Sequence, residues 1–453
     1  MNTAYKNIFK ATTLFGGVQG LNILLNLART KLVAVILGPA GMGLNSIYNE
    51  TRELIHTSTN IGLDVSGVRD LATATEKHTQ HPTAENMAIL DDKVRVLRSW
   101  VLLLATFGTL VCLLLAAPLS LFTFGDYSHV WGYALLSPAV GFSTVTCGEI
   151  AVLKGLRRLK AIAQVSLINV AAALPVSIPI YYFWGIDGVL PAILLFTGVS
   201  MLITLQYGHH TPPLSYTLQK DCLVSGRPML HIGLVVVISE GLAHVVILAI
   251  QSYLNNTTSL HIVGLYNDGY IMTMTYAGMV FTAMETDYYP RLTGIINNIK
   301  QRNDLVTKQI EINILLVAPL LTAFIILSPW LVPLLLDSKF EEIIPMIQVT
   351  AIGLLFRAVT LPNTFLYLAS GNSKIYFTVN FIGALDMLIV IPGYIYGGLW
   401  GAGLALTIQN LFDMLLVLCI SRCYYKITFS KRVFYGAAIS LLALTTIYYL
   451  ATI

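Results

Sequence analysis

The fold of this chain is decided by residues 12–62, which read TTLFGGVQGLNILLNLARTKLVAVILGPAGMGLNSIYNETRELIHTSTNIG. Two apolar runs, 12–37 and 43–62, flank the link Gly38-Pro39-Ala40-Gly41-Met42-Gly43, and glycine with proline is typical of a tight turn. Each run is close to the ~20 residues that an α-helix needs to cross a bilayer. The stretch therefore predicts two antiparallel membrane-spanning helices joined by a short turn.

Polar side chains form one stripe along each of these predicted helices, within about 80° of one another on a helical wheel. The stripes consist of Gln19, Asn22, Asn26 and Arg29 in the first helix, and of Asn45, Asn49, Arg52, His56 and Asn60 in the second. An arginine at this depth costs on the order of 3 kcal/mol, so it faces protein or water and not lipid. The stripes predict the wall of a hydrated, cationic cavity. The alternative is helix–helix contact with arginines that extend to the interface.

Two further charges lie off the stripes. Lys31 and Glu50 stand at a similar distance from the Gly38–Gly43 turn, one on each predicted helix. Unpaired charges are costly inside a membrane, so the two residues predict an interhelical ion pair with no role in substrate binding.

The composition extends the membrane prediction to the whole chain. Of 453 residues, 56% are hydrophobic and 11% are charged, and the mean hydropathy is +0.72. A soluble domain carries about 25% charged residues, so we predict an all-α polytopic membrane protein. The five cysteines form no CxxC motif, which favours free thiols over a metal site. No cleavable signal peptide is expected.

Hydropathy predicts twelve spans and one additional segment. They lie near 12–37, 43–62, 97–123, 130–153, 161–183, 187–207, 230–254, 262–283, 311–336, 343–369, 375–396 and 398–421, with the further apolar segment at 433–453. Whether that last segment crosses the membrane or lies on it is left open.

The basic residues predict the orientation. All but five of the 27 lysines and arginines fall in loops on one side; Lys339 lies on the other side, and Arg29, Lys31, Arg52 and Arg357 lie inside spans. Basic loops face the cytoplasm, so the N-terminus is predicted to be cytoplasmic. We expect the bilayer, and not nucleic acid, as the surroundings of this chain.

The two halves of the chain read as parallel repeats. Gly185-Ile186-Asp187-Gly188 and Gly398-Leu399-Trp400-Gly401 end corresponding spans. We therefore predict an N-terminal lobe at 1–207, a cytoplasmic linker at 208–229, a C-terminal lobe at 230–425 and an additional hydrophobic segment at 426–453.

Three motifs carry a family resemblance over roughly residues 1–425. They are Leu27-Ala28-Arg29-Thr30-Lys31-Leu32, then Leu37-Gly38-Pro39-Ala40-Gly41-Met42-Gly43-Leu44, and Asp287-Tyr288-Tyr289-Pro290-Arg291-Leu292. The chain resembles the MOP exporter superfamily, with its two six-helix lobes. More narrowly, it is similar to the O-antigen and enterobacterial common antigen translocases.

The resemblance implies a flippase and not an enzyme, without catalytic residues, bound metal or cofactor. Such flippases carry an undecaprenyl-diphosphate-linked oligosaccharide across the bacterial inner membrane by alternating access. Arginine suits the diphosphate because its charged fork matches phosphate oxygens, which makes Arg29, Arg52 and Arg357 the expected ligands. The amides of both stripes and His56 are expected to bind sugar hydroxyls. Polysaccharide-assembly proteins are possible membrane partners.

The resemblance also implies ion coupling. Members of this superfamily can bind a cation in the second lobe, and Glu240, Asp386 and Thr407 occupy matching helices. Sodium, protons and a plain interhelical hydrogen-bond network remain alternatives.

Two other functions compete with the flippase. A MATE-type drug exporter shares the fold, but hydrophobic cationic substrates would favour an acidic cavity. A polysaccharide polymerase or sugar transferase would need a catalytic motif, and the sequence contains no DxD, HExxH or P-loop pattern.

Overall fold

The structure, a computed structural model, describes residues 3–208, 222, 224, 226–278, 281, 288–289 and 291–452. Within these residues every regular element is a helix, which confirms the all-α class predicted from composition. The helices of the first half are α1 Thr3–Asn60, α2 Leu63–Gln80, α3 Ala84–Leu114, α4 Ala116–Phe124, α5 Val130–Gly155, α6 Leu159–Trp184 and α7 Val189–Gly208.

The second half continues in the same way. Its helices are α8 Arg227–Thr257, α9 Leu260–Tyr270, α10 Ile299–Leu335, α11 Ile344–Ala369, α12 Ser373–Asp386, α13 Val390–Cys423 and α14 Lys431–Thr452. A π-helical turn, Ile271–Ala277, follows α9, and short 3-10 turns join α6 to α7 and α12 to α13.

Helix α1 consists of two helices that meet at Gly38. This glycine has φ 62° and ψ −177°, in the left-handed half of conformational space that favours glycine. A Cβ atom added at Gly41 would lie 2.7 Å from the Cβ atom of Leu37. Positions four apart in a continuous helix are about 5–6 Å apart, so the chain turns sharply at the predicted link.

The same turn occurs in each half of the chain. Gly185 and Gly398 have φ values of 55° and 57°. Three positions later, a Cβ atom at Gly188 would lie 2.9 Å from the carbonyl oxygen of Ile180, and one at Gly401 would overlap the carbonyl oxygen of Gly393. Positions eight apart in one helix are about 12 Å apart, so the chain reverses at both sites. The matching turns agree with the predicted pseudo-repeat.

Eight stretches of the described residues are long and apolar enough to cross a membrane. Three of them, Leu21–Asn60, Leu159–Gly208 and Lys374–Cys423, contain 40, 50 and 50 residues. Each of these three includes one of the glycine turns, so each corresponds to two of the predicted spans.

Contacts within the chain divide it into unit 1, residues 1–248, and unit 2, residues 249–453. The boundary lies inside α8, whereas the sequence predicted a linker at 208–229, most of which lies outside the described residues. The predicted domain bounds therefore remain a prediction.

A buried ion pair joins three helices of unit 1. The Arg98 guanidinium donates to both carboxylate oxygens of Glu149, at 2.7 and 2.9 Å, and to the carbonyl oxygen of Gly208 at 3.1 Å. Arg98 lies at the start of the predicted span 97–123 and is 1% exposed. Its pairing was not evident from the sequence, because the carboxylate that compensates Arg98 comes from α5, far along the chain.

Helix α14 packs along α10 in unit 2. At one end Ser430 Oγ donates to Glu311 Oε1 at 2.5 Å, and at the other Trp400 Nε1 donates to the Tyr448 hydroxyl at 2.8 Å. Between them, one apolar cluster contains Ile310, Ile314, Val317, Leu321, Val433 and Leu444. The 22 residues of α14 extend about 33 Å, which is sufficient for a further crossing.

Candidate functional site

The polar stripe of residues 45–60 faces protein in unit 1. This half of α1 packs against α3 and α5. Asn60 is buried, and Asn45, Asn49, Arg52 and His56 are partly buried. These polar side chains have lost much of their contact with water, so hydrogen bonds to other protein groups are needed to compensate for that loss.

Arg52 has two of its three nitrogen atoms engaged. Nη1 donates to Ser143 Oγ on α5 at 2.5 Å, and Nη2 donates to Glu53 Oε1 at 2.6 Å. The Nε atom is buried and has no hydrogen-bond partner among the described residues. The Arg52 side chain is only 14% exposed, so water does not readily replace the missing acceptor. The Nε–H group can therefore donate a hydrogen bond to a bound ligand.

His56 lies on the other side of Glu53. Its Nδ1 atom is 3.5 Å from Glu53 Oε2, at the limit of a hydrogen bond, and neither ring nitrogen has an aligned partner among the described residues. Glu53 thus stands between a guanidinium and an imidazole. The helical wheel missed Glu53 because it lies at the edge of the stripe.

Glu50 contacts α8. Its Oε1 atom is 2.6 Å from His244 Nδ1, and both side chains are partly buried. The structure thus gives Glu50 a partner other than Lys31, the residue that the sequence analysis expected. We call Glu50, Arg52, Glu53, His56 and His244 the Arg52 cluster.

The Arg52 cluster adds acidic side chains to the stripe that the sequence analysis predicted to form a cationic wall. It contains two carboxylates, one guanidinium and two imidazoles. With neutral histidines, the acids outnumber the arginine; with protonated histidines, the bases outnumber the acids. The charge of this site therefore depends on the imidazoles and on what binds to it.

The stripe amides are partly satisfied within the protein. Asn49 Nδ2 donates to the carbonyl and side-chain oxygens of Asn45, at 2.9 and 3.0 Å. Asn60 Nδ2 lies 3.7 Å from Cys147 Sγ, and its Oδ1 atom is buried without a partner among the described residues.

The stripe of the first helix has different neighbours. Asn22 Nδ2 donates to Ser166 Oγ on α6 at 2.9 Å, and the Arg29 guanidinium lies 4.9 Å from the centre of the Phe196 ring on α7. Asn26 is exposed, and the Gln19 side chain lies outside the described residues. The structure therefore brings Arg52 together with Glu53 and His56 but places Arg29 against an aromatic ring, where a cation–π interaction stabilises it.

Near the end of the second stripe that follows the Gly38 turn, Tyr48 contacts His129. The Tyr48 hydroxyl and His129 Nδ1 share a hydrogen bond of 2.7 Å, and the imidazole stacks on Phe124 with ring centres 3.7 Å apart. Burial lowers the pKa of His129, and Asp126 offsets part of that effect. The lowered pKa favours the neutral form of the His129 imidazole.

The remaining predicted residues fall into both units. Thr407 Oγ1 donates to the carbonyl oxygen of Val349 at 2.8 Å, and Arg357 Nη1 lies 3.7 Å from Met274 Sδ. Both belong to unit 2, as does Asp386, whereas Glu240 is exposed on the part of α8 in unit 1. The three predicted ion-coupling residues are thus divided between the units.

Asp386 of α12 is the predicted ion-coupling residue whose side chain is least satisfied, since both of its carboxyl oxygens are buried without a hydrogen-bond partner among the described residues. Those residues contain no group of three His, Cys, Asp or Glu side chains arranged for a metal ion.

Comparison with known proteins agrees with this architecture. A family model described as polysaccharide biosynthesis protein matches residues 91–345, which is more than half of the chain. No curated protein matches the sequence.

Solved structures share the fold over nearly the whole chain. A lipid II flippase, MurJ, in an inward closed conformation has a TM-score of 0.71 and 16% identity, covering 97% of this chain and 93% of that one. An inward-facing multidrug resistance MATE family transporter of the MOP superfamily has a TM-score of 0.70 and 14% identity, covering 94% and 96%. The Vibrio cholerae MATE transporter VcmN, as a mutant, has a TM-score of 0.62 and 13% identity, covering 94% and 99%. These likenesses confirm the predicted MOP-type fold.

Proposed function

The chain belongs to the polysaccharide biosynthesis protein family, and from that membership we propose that it is a flippase for lipid-linked oligosaccharides. In this proposal the substrate is an O-antigen-type oligosaccharide on undecaprenyl diphosphate. The protein carries it from the inner to the outer leaflet of the bacterial cytoplasmic membrane by alternating access. Transport breaks no covalent bond of the substrate, so no catalytic residue or cofactor is required. Enzymes of polysaccharide assembly are the expected membrane partners.

The observation that carries this proposal is the unpaired Nε atom of Arg52. A buried N–H group without an acceptor costs about 1–3 kcal/mol, and a phosphate oxygen would satisfy it. Arginine also keeps its charge at any physiological pH and offers its donors as a planar fork. A diphosphate is therefore a chemically suitable ligand for this position.

The neighbours of Arg52 suit the rest of such a substrate. Ser143 holds one end of the guanidinium, while Glu53 supplies a negative charge that an incoming phosphate can replace. His56 offers ring nitrogens, and Asn60 offers a buried amide oxygen, for sugar hydroxyls. Arg29 and Arg357 are further proposed phosphate ligands, one in each unit.

Transport against a gradient requires an energy source. We propose coupling to a sodium or proton gradient, for which Glu240, Asp386 and Thr407 are the candidate residues from the sequence.

A second candidate function is the export of hydrophobic cations. Its support is the pair of carboxylates, Glu50 and Glu53, in the Arg52 cluster, together with the fold shared with a MATE family transporter. Carboxylates favour a cationic ligand, whereas Arg52 favours an anionic one, so ligand charge separates the two functions.

The test is binding of two probes by the purified full-length protein in detergent. We expect the wild type to bind undecaprenyl diphosphate and Arg52→Gln to bind it about tenfold or more weakly, because a charge-assisted hydrogen bond contributes about 1.5–3 kcal/mol. Arg95→Gln is the matched control, since Arg95 is exposed and pairs with Asp92.

The outcomes separate the candidates. Equal binding of undecaprenyl diphosphate by wild type and Arg52→Gln would remove the basis of the flippase proposal. Binding of ethidium, a hydrophobic cation, without binding of undecaprenyl diphosphate would replace it with cation export.

A further inference from the structure

Helices α1 and α6 of unit 1 meet through polar side chains. Asn22 of α1 donates from Nδ2 to Ser166 Oγ of α6 at 2.9 Å. The turns that end the two helices are also neighbours, because a Cβ atom added at Gly41 would lie 3.4 Å from Ile186 Cγ1. The first half of α1 and the whole of α6 therefore lie side by side and run in the same direction.

Each helix contributes one polar stripe to this contact. On α6, Ser166, Asn169 and Ser177 fall within about 80° of one another on a helical wheel, so all three share the face that meets Asn22. The sequence analysis did not single out this second stripe. We call both stripes together the polar seam, which consists of Asn22, Asn26, Arg29, Ser166, Asn169 and Ser177.

The two stripes match in depth. Asn22 lies sixteen residues before the turn glycine Gly38, and Asn169 lies sixteen residues before the turn glycine Gly185. Arg29 and Ser177 lie nine and eight residues before the same two glycines. Because the helices are parallel and their turns are neighbours, Asn169 stands at the level of Asn22, and Ser177 stands at the level of Arg29.

Three oxygen atoms of the polar seam are shielded from solvent and have no hydrogen-bond partner among the described residues. They are Asn22 Oδ1, Asn169 Oδ1 and Ser177 Oγ. Asn22 is 5% exposed, and Ser177 is 0% exposed. Polar groups that only hold two membrane helices together are expected to pair with each other, because an unsatisfied buried group is destabilising. The seam therefore retains capacity for hydrogen bonds that the contact between the helices does not use.

These unpaired atoms determine which chemical groups the seam can bind. An amide oxygen accepts hydrogen bonds and cannot donate them, so Asn22 and Asn169 require a ligand with donors. Phosphate oxygens are acceptors, so a diphosphate does not satisfy either amide. Sugars offer hydroxyl donors, and an acetamido sugar adds an N–H donor. Arg29 and the Ser177 hydroxyl, at the other level of the seam, can both donate to phosphate.

We propose that the polar seam recognises the sugar next to the diphosphate, with Asn22 and Asn169 accepting hydrogen bonds from its hydroxyl or acetamido groups. This inference rests on the proposed function, in which Arg29 is a phosphate ligand. Arg29 lies about 10 Å along α1 from Asn22, so an extended substrate reaches both levels. Asn26 is exposed and lies between them, which gives the seam an accessible side. The seam thereby distinguishes a carrier lipid that bears sugar from one that does not.

The test compares two probes on the purified full-length protein in detergent. They are undecaprenyl diphosphate and the same lipid bearing one N-acetylglucosamine. We expect the wild type to bind the glycosylated lipid about tenfold more tightly. Asn22→Ala and Asn169→Ala should each reduce this preference about fivefold, which corresponds to one hydrogen bond of about 1 kcal/mol. Neither change should weaken binding of the bare lipid to the same extent, since that lipid carries no sugar.

Asn410→Ala is the matched control. Asn410 is a buried asparagine of α13 in unit 2, and its Nδ2 atom donates to the carbonyl oxygen of Leu406 in its own helix at 2.7 Å. Its replacement should keep the tenfold preference, to about the wild-type value. Asn169→Ala breaks no hydrogen bond shown within the described residues, so it carries the test if Asn22→Ala fails to fold.

The ratio of the two affinities separates sugar recognition from a structural role. A structural seam would make Asn22→Ala and Asn169→Ala lose affinity for both lipids equally, and that result would overturn the inference. Equal binding of the two lipids by the wild type would overturn it as well, while the proposed function would stand. Failure of the wild type to bind either lipid would count against the proposed function and the inference together.

Discussion

Arg52 shows how a costly charge is accommodated at the scale of a residue. Glu53 is its neighbour in the chain, yet the contact also requires Ser143 from α5 to hold the guanidinium in place. Glu50 is compensated in the same way by His244 of α8. Arg52 and Glu50 thus each have a hydrogen-bond partner on another helix, so packing of the helices and compensation of these charges support each other.

A double-mutant cycle on Glu50 and His244 measures that coupling. The side chains are 17% and 27% exposed, so we expect Glu50→Gln and His244→Gln to be coupled by about 1 kcal/mol or more in the free energy of unfolding. The measurement is thermal and denaturant unfolding of the purified protein. The exposed pair Asp304 and Lys308 serves as the control, for which the coupling should be close to zero. Additive losses for Glu50 and His244 would contradict the interaction.

At the scale of the secondary-structure element, glycines form the turns that join consecutive helices into hairpins. In both halves a glycine with positive φ is followed, three positions later, by a glycine packed against a carbonyl oxygen of the preceding helix. No side chain fits at the second glycine, because the obstacle is backbone that cannot rotate away. The two hairpins therefore depend on the same local requirement at Gly188 and Gly401.

Alanine substitutions test this requirement. Gly188→Ala and Gly401→Ala should each lower the melting temperature of the purified protein, at a cost of about 1–3 kcal/mol for the overlap. Gly198→Ala is the matched control, because a Cβ atom there would meet Phe142 at an ordinary 3.5 Å. The control should melt at or above the wild-type temperature, since alanine favours a helix. A hairpin variant as stable as the control would contradict the argument.

At the scale of the whole molecule, many exposed aromatic residues lie near helix ends in each unit. Those at ends that the lysine and arginine distribution predicts to be outside are Tyr127, Trp131, Tyr182, Phe183, Trp184, Trp330, Tyr396 and Trp400. Tyr424, Phe434 and Tyr435 lie at an end that the same distribution predicts to be inside. Aromatic side chains concentrate at membrane interfaces, so this pattern agrees with the predicted spans.

The position of α14 leads to a prediction about topology. Ser430 contacts the first half of α10, and Tyr448 contacts Trp400 beside the Gly398 turn, which the lysine and arginine distribution predicts to be outside. We therefore predict that α14 crosses the membrane and places residue 453 outside. Alkaline phosphatase fused after residue 453 should be active, while the same enzyme fused after Lys426 should be inactive. Green fluorescent protein at the same two positions, as a control for expression, should give the reverse. An inactive C-terminal fusion with a fluorescent counterpart would show that α14 does not cross.

The fold could be predicted from the sequence because its determinants are local. Hydropathy depends on the side chains of about twenty consecutive residues, and it identified the helices and the all-α class. Gly38, Gly185 and Gly398 mark the turns because few other residues adopt a positive φ. The stripe of Arg52 and His56 was likewise visible as helical periodicity.

Only the tertiary structure determined which polar side chains form hydrogen bonds with each other. The pairs Arg52 with Ser143 and Glu50 with His244 join residues from different helices, and no periodicity within one helix encodes those distances. The carboxylates Glu50 and Glu53 lie on the same helix as Arg52, so they were present in the sequence beside the arginine. Packing decides how they are paired, because it brings the His244 imidazole of α8 to Glu50 and Ser143 of α5 to Arg52.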